Sequence, residues 1–317
     1  MAHDGSTRVV MTALAGNAAI AITKLAAALF TGSAAMFSEA IHSAVDTGNQ
    51  VLLLLGLKRA ARPASAGHQF GHGLELYFWA FVVAILIFGA GAVVSINHGI
   101  HRIAHPAPIE NVWVNYVVLG LSMLFEGAAW RVAWKEFDRQ REGRSVLREL
   151  RSSKDPAVFT VLFEDSAAML GLIIALVGIF LSQTLHMPMI DGIASIGVGV
   201  VLAITAAFLA LESHSLLTGE SVYPEVRADI VRLATGEPEV ERLNQALTMH
   251  FGPHDVLCAL SLDFRDDVTA GEVEGAVTRI ERAIKAAHPE VTRVFVEAQS
   301  FAADRRGGSP AAAEADA

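Results

Sequence analysis

The chain holds one cysteine, Cys258, in 317 residues. That scarcity excludes an internal disulfide framework and a cysteine-built zinc cage. Charge is thin as well: Asp, Glu, Lys and Arg make up 18% of the chain, where a soluble domain carries about 25%. The shortfall is concentrated in the first two-thirds of the sequence. The net charge of −9 leaves no positive surplus and argues against nucleic acid as a partner. No cleavable leader is expected either. Residues 1–7 are too short and polar for one, and the first apolar stretch has no small-residue cleavage motif, so it is read as a retained helix.

What the sequence has in quantity is apolar residues, 53% of the total. They gather into six stretches, roughly residues 9–30, 34–57, 76–100, 112–134, 157–181 and 188–211. Each has about 20 residues or more, enough to cross a hydrocarbon core of about 30 Å as a helix. Basic residues cluster after the second stretch (Lys58, Arg59, Arg62) and after the fourth (Lys135, Arg139, Arg141, Arg144, Arg148, Arg151, Lys154). The turns after stretches one and five have none, and the turn after stretch three has only Arg102. The positive-inside rule then sets both termini in the cytoplasm. Trp79, Trp113, Trp130 and Trp134 fall near span ends, where amphipathic rings favour the headgroup level. Small residues recur at Ser195, Gly199 and Ala203, and at Gly89 and Gly91; they are read as helix-packing positions.

Beyond about Leu217 the composition changes. Residues 225–235 and 270–287 read as helices, and 243–250, 256–264 and 291–298 as strands. The order α-β-β-α-β suits a small α+β domain with helices on one face of a sheet. Residues 302–317 are Gly, Ala, Pro and charge, and are expected to be disordered. The fold class expected is therefore an α-helical membrane protein: a six-helix transmembrane bundle (1–217), a C-terminal cytoplasmic α+β domain of ferredoxin-like type (218–301) and a tail. No pattern of nucleophile and base appears, so an enzyme is not expected.

Ionisable groups inside the apolar stretches are the informative exceptions. Each costs about 2.5–3.5 kcal/mol at the bilayer centre on insertion scales. His42 and Asp46 in stretch two are four residues apart, hence on one helix face a turn apart. Stretch five carries Glu164 and Asp165. Counting along antiparallel helices at about 1.5 Å per residue sets all four near mid-bilayer. An imidazole and carboxylates in that relation can hold one divalent cation. The plainer alternative is a structural His–Asp hydrogen bond. Three acids without a nearby base would repel one another, and a bound cation or shared protons would relieve that.

At these residues the sequence resembles the cation diffusion facilitator family of metal transporters. The resemblance rests on Gly32 to Asp46 (GSAAMFSEAIHSAVD), His68 to Gly73 (HQFGHG) and Asp191 to Ser195 (DGIAS). Within the family it is similar to the branch that contains mitochondrial zinc transporter nine. Ser38 to Gln50, Leu162 to Ala168 (LFEDSAA) and residues 104–110 (AHPAPIE) carry that likeness. The resemblance implies a Y-shaped homodimer in a lipid bilayer that exports zinc or a related divalent ion by alternating access, driven by proton antiport. It implies His42, Asp46 and Asp165 as metal ligands, with no cofactor beyond the transported ion. The sequence departs from the family's zinc members at Val161, where they place a histidine; Glu164 is the candidate replacement donor. Glu164 and Asp165 are about 100° apart on a helix, so one binds metal and the other supports it. One nitrogen and up to three oxygens form a harder site than two histidines, friendlier to manganese or iron, yet zinc accepts N and O donors. Zinc is placed first, with manganese, iron or cobalt as the alternative, and a membrane protein with a purely structural metal site as the alternative of another class.

Other polar residues receive plainer readings. His68 and His72 are read as a loop signature, and His98, His101 and His105 as interfacial histidines. His250, His254, Asp255 and Cys258 are close in sequence but flank a Gly-Pro turn. The resemblance would set a His-x-Asp zinc pair on the last strand, where this chain has Glu297 and Gln299, so a dimerisation domain without that metal is expected. Lys24 is read as structural, Asp191 as the cap of its own helix, and Glu126 as an intramembrane acid available to a proton path. The first apolar stretch begins so early that no mitochondrial presequence is expected before it, which favours a bacterial cytoplasmic membrane.

Overall fold

The computed structural model describes residues 2–106, 111–140 and 155–300. The expected tail and most of the basic connection, Arg141 to Lys154, lie outside the described residues, as do residues 107–110 of the AHPAPIE run. The chain divides into two units, one of residues 1–62 and 74–214, the other of residues 63–73 and 215–317.

The first unit is helical. Its elements are α1 (Ala2–Thr31), α2 (Ala34–Ala60), α3 (Leu74–Leu86), α4 (Val93–Ala104), α5 (Val112–Gln140), α6 (Pro156–Thr184) and α7 (Met189–Thr218). A π-helical stretch, Ile87–Ala92, joins α3 to α4 without a break. Local chemistry sets the helix starts. Gly32 takes φ +66° between α1 and α2, a conformation open to glycine at little cost. Ser33 then caps α2, its hydroxyl accepting from Met36 N at 3.2 Å. Asp155 caps α6 by accepting from Ala157 N, with Pro156 in the first turn where no N–H is needed.

Five stretches, Val9–Thr31, Leu74–Ala104, Val112–Arg139, Pro156–Thr184 and Met189–Thr218, are long and apolar enough to cross a membrane. Helix α2 falls outside that set because it carries Glu39, His42, Asp46, Asn49, Gln50, Lys58 and Arg59. The unit is turned inside out relative to a soluble protein. Leu29, Ile22, Leu124 and Leu211 are more than 70% exposed, while Lys24, Glu39, Asp46, Glu126, Glu164 and Asp165 are at most 1% exposed. Apolar surface outside and charge within is the arrangement lipid favours, and the chain is an integral membrane protein.

Backbones approach closely where small residues allow it. A Cβ on Gly99 would lie 2.6 Å from Gly192 O, and one on Gly199 3.0 Å from Ala92 O. Ser195 donates to Ser95 O at 2.9 Å. Gly91 faces Leu202, whereas Gly89 has open space around it. The packing expected at Ser195 and Gly199 is thus present, and Gly99 and Gly192, not Gly89, complete the seam.

The second unit contains α8 (Pro224–Thr235), β1 (Val240–Gly252), β2 (Asp255–Phe264), α9 (Ala270–Ala287) and β3 (Val291–Ala298). The sheet order is β1-β2-β3, with β1 antiparallel and β3 parallel to β2. Ile230, Ala246, Val256, Cys258, Leu260, Ile280 and Ile284 form its core. Thr269 and Glu272 close a capping box at the start of α9. The other sheet face carries Leu247 and Phe295, each more than half exposed and both in register with Ala259. The loop Pro63–Gly73 belongs to this unit: Phe70 stacks on Phe251 with ring centroids 5.0 Å apart, and Arg293 donates to Phe70 O at 3.3 Å.

Candidate metal site

Helix α2 supplies the site. Glu39, His42, Ser43, Asp46, Asn49 and Gln50 are all buried, at spacings that keep them to one broad face. His42 Nδ1 lies 3.2 Å from Asp46 Oδ2. His42 Nε2 has no partner, nor does Asp46 Oδ1. In such surroundings an unmet polar atom is costly, so these atoms are candidates for binding something other than protein.

Helix α6 adds two acids, and they behave differently. Glu164 accepts from Asn49 Nδ2 at 2.9 Å and from Gln50 Nε2 at 3.4 Å. Asp165 has no hydrogen bond to either carboxyl oxygen. Adjacent residues on a helix diverge by about 100°, and here one faces the amides of α2 while its neighbour does not. Among the described residues, no group of three or more His, Cys, Asp or Glu side chains stands close enough to hold a metal ion together. The structure therefore joins His42 to Asp46 and ties Glu164 to α2 through amides, while Asp165 makes no hydrogen bond to any of them.

Asn49 and Gln50 are partners that the sequence reading missed. Their signal was legible: three and four residues past Asp46, they continue the face of His42 and Asp46 by one turn. Glu39 was missed for the same reason. Lys24, read as structural, is fully buried and donates to Glu39 Oε2 at 3.1 Å and Ser43 Oγ at 2.9 Å. It also lies 3.5 Å from Glu126 Oε1.

Asp191 requires a correction. It was expected to cap its own helix, α7. Instead it accepts from Ser33 Oγ at 2.9 Å, Ala34 N at 2.7 Å and Ala35 N at 3.2 Å, and so caps α2. The first N–H groups of α2 point out of that helix end with no partner of their own, and Asp191 sits across from them, with Arg102 Nε 3.7 Å away.

The remaining histidines stand elsewhere. His68 and His72 pair their rings at 4.3 Å, His101 and His105 at 4.7 Å, and His98 packs on Phe37 at 4.6 Å. In the second unit Asp255 accepts two bonds from Arg293, at 2.8 and 3.1 Å. His250 Nδ1 lies 3.2 Å from Gly252 O. Cys258 is buried in the sheet, and burial pushes its thiol up to about 11. Glu297 is in register with Ser261, and Gln299 N donates to Leu262 O at 3.0 Å.

Comparison with known proteins fits this architecture. Residues 10–218 match the cation efflux transmembrane domain. The proton-coupled zinc antiporter SLC30A9, mitochondrial, of Homo sapiens is 35% identical over 82% of this chain and 46% of its own length, as is that of Mus musculus. Metal tolerance protein C4 of Arabidopsis thaliana is 29% identical over 82% of this chain and 57% of its own. The cation-efflux pump FieF of Klebsiella pneumoniae (strain 342) is 23% identical over 86% and 88%. The chain spans about half the length of the mammalian relatives it matches. With that match across the helical unit, the chain belongs to the cation efflux, or cation diffusion facilitator, family.

Proposed function

We propose that the protein carries divalent metal cations across a membrane in exchange for protons, with zinc as the first substrate. One observation carries this reading: inside an apolar bundle, His42, Asp46 and Asp165 keep buried donor atoms that no protein group satisfies. One nitrogen and several oxygens are a donor set zinc accepts. His42, Asp46 and Asp165 are the proposed ligands. Glu164 serves either as the fourth donor or, as its bonds to Asn49 and Gln50 favour, as the brace that keeps α2 and α6 in register. The names of the human and mouse relatives, proton-coupled zinc antiporters, support the same substrate.

The coupling follows from the ligands. Metal binds neutral imidazole and ionised carboxylate, so each binding event releases protons, and protons on the receiving side displace the ion. In this reading α2 is the sixth span, its polar face covered by α1, α6 and their neighbours. Both termini and the α+β unit lie on the cytoplasmic side with the basic residues, and a bacterial cytoplasmic membrane is the favoured location. The row of Leu247, Ala259 and Phe295, exposed at Leu247 and Phe295, suits a second copy of the chain and a homodimer.

Zinc flux into liposomes, with lumenal pH recorded at the same time, tests the reading. Flux coupled to proton exit and lost in His42→Ala, Asp46→Asn and Asp165→Asn is the expected result. Flux without opposing proton movement defeats the antiport. Faster flux of manganese, iron or cobalt than of zinc replaces the substrate. Metal binding without flux of any ion leaves a structural site.

A further inference from the structure

We propose that Lys24 is a tethered cation that competes with the divalent ion for Glu126. The inference rests on the metal-carrying reading above and extends it to residues outside the ligand set.

Among the described residues, Lys24 is the one Lys or Arg side chain that is fully buried. Its ammonium is held on two sides with unequal strength. Toward α2 it makes two hydrogen bonds, to Glu39 Oε2 at 3.1 Å and to Ser43 Oγ at 2.9 Å. Toward α5 it has only the 3.5 Å approach to Glu126 Oε1, with no hydrogen bond, and neither carboxyl oxygen of Glu126 has another partner. Glu39 keeps its Oε2 on Lys24, with Oε1 unpartnered and tucked beside Gly171 of α6 in the space a Cβ would take. Of the two acids beside Lys24, Glu126 is therefore the one free to change partner.

Position links this group to the proposed ion path. Glu39 and Ser43 are three residues before and one after His42, so the anchored ammonium sits about one helical turn from the His42–Asp46 pair. Glu126 in turn stands on α5, which packs along α6, the helix that carries Asp165. The buried acids Glu39, Asp46, Glu126, Glu164 and Asp165 thus share one fixed positive charge. A divalent ion reaching His42, Asp46 and Asp165 attracts Glu126 more strongly than an ammonium already shared with Glu39. When the ion leaves, Lys24 takes Glu126 back. Lys24 in this scheme lowers affinity and speeds release, which a carrier requires and a structural ion pair does not supply.

The test uses the full chain in detergent for zinc affinity and in liposomes for turnover. Lys24→Gln is expected to tighten zinc binding about tenfold, the scale of one partly screened unit charge nearby, and to slow turnover. Lys24→Arg keeps both near wild type. Glu126→Gln, which removes the contested acid, weakens binding by a similar factor. His42→Ala in the same assay checks the underlying site. Zinc binding undiminished in His42→Ala overturns the site reading itself. Binding lost in His42→Ala, but unchanged in folded Lys24→Gln or Glu126→Gln, overturns the role of Lys24 alone. Should Lys24→Gln fail to fold, the affinity of Glu126→Gln decides.

Discussion

Asp191, in the first turn of α7, accepts the backbone N–H of Ala34 at 2.7 Å and thereby closes the start of α2, a helix 157 positions earlier in the chain. The carboxylate meets N–H groups that a helix leaves unpaired at its start, where negative charge is also favoured. Removing it in Asp191→Ala is expected to cost about 1–2 kcal/mol, the usual scale of a lost cap. Thermal unfolding in detergent measures this, and Asp191→Asn, which keeps an acceptor oxygen, should lose less. Equal melting of Asp191→Ala and wild type refutes the cap.

The two acids of α6 are expected to separate by mutation. Asp165→Asn removes an unpartnered carboxylate proposed to bind metal and should abolish zinc flux. Glu164→Gln disturbs a carboxylate held by Asn49 and Gln50, and is expected to weaken zinc affinity by about tenfold, the lower end for a supporting group. Calorimetric zinc titration of both variants separates them. Loss of binding in Glu164→Gln alone would exchange their roles.

Close contact between α4 and the start of α7 gives a packing prediction. A side chain on Gly99 meets backbone atoms of Gly192 and Ile196, which cannot swing aside. Gly99→Leu should destabilise the helical unit by about 1–3 kcal/mol through overpacking. Gly89→Ala meets nothing within 4 Å and should melt like wild type. The pair of melting temperatures checks the seam.

Cys258 reports on opening of the second unit. Its thiol is enclosed and pushed up to about 11 by burial. The reactive thiolate is therefore about a thousandth of the population at pH 8, besides being inaccessible. Maleimide should label the native chain only as fast as the sheet opens and label it at once in urea. Rapid labelling of the native chain would show the strand to be loose.

Acid should loosen the contact between α8 and the end of α9. The guanidinium of Arg232, and then the His288 ring, hold the Asp229 carboxyl below its usual range. A depressed carboxyl contributes stability above its unfolded value, about 3.9, and loses it as pH falls through the lower folded value. Protection of the α8 amides, corrected for intrinsic exchange rates, should fall below about pH 4. In Asp229→Asn it should be weaker at pH 7 and flatter in acid.

Much of the fold was legible because it rests on local pattern. The expected helices and strands of the α+β unit match its observed elements within a few residues, since alternation and helical spacing set those boundaries. The helix pair that carries the acids was legible for a similar reason: His42 and Asp46 announce a shared face by spacing alone. Partners across helices were not. Asp191 reads locally as the cap of α7, and only the tertiary arrangement turns it toward Ala34. Glu164 and Asp165 look interchangeable in sequence, and what distinguishes them is which one faces the amides of Asn49 and Gln50. Lys24 and Glu126 lie about a hundred positions apart, and nothing in their local sequence ties them together.

The π-helical stretch Ile87–Ala92 adds rotational phase to the rod it interrupts. An α-helix turns about 100° per residue, and a π turn inserts one residue beyond the α count. Ser95 and Gly99 meet α7 because of that added phase. Deleting a single residue between 87 and 92 would restore an unbroken α-helix and swing the glycine seam about a quarter of a turn or more away from Gly192. The stretch thus acts as the indexing step that aims the second half of the rod.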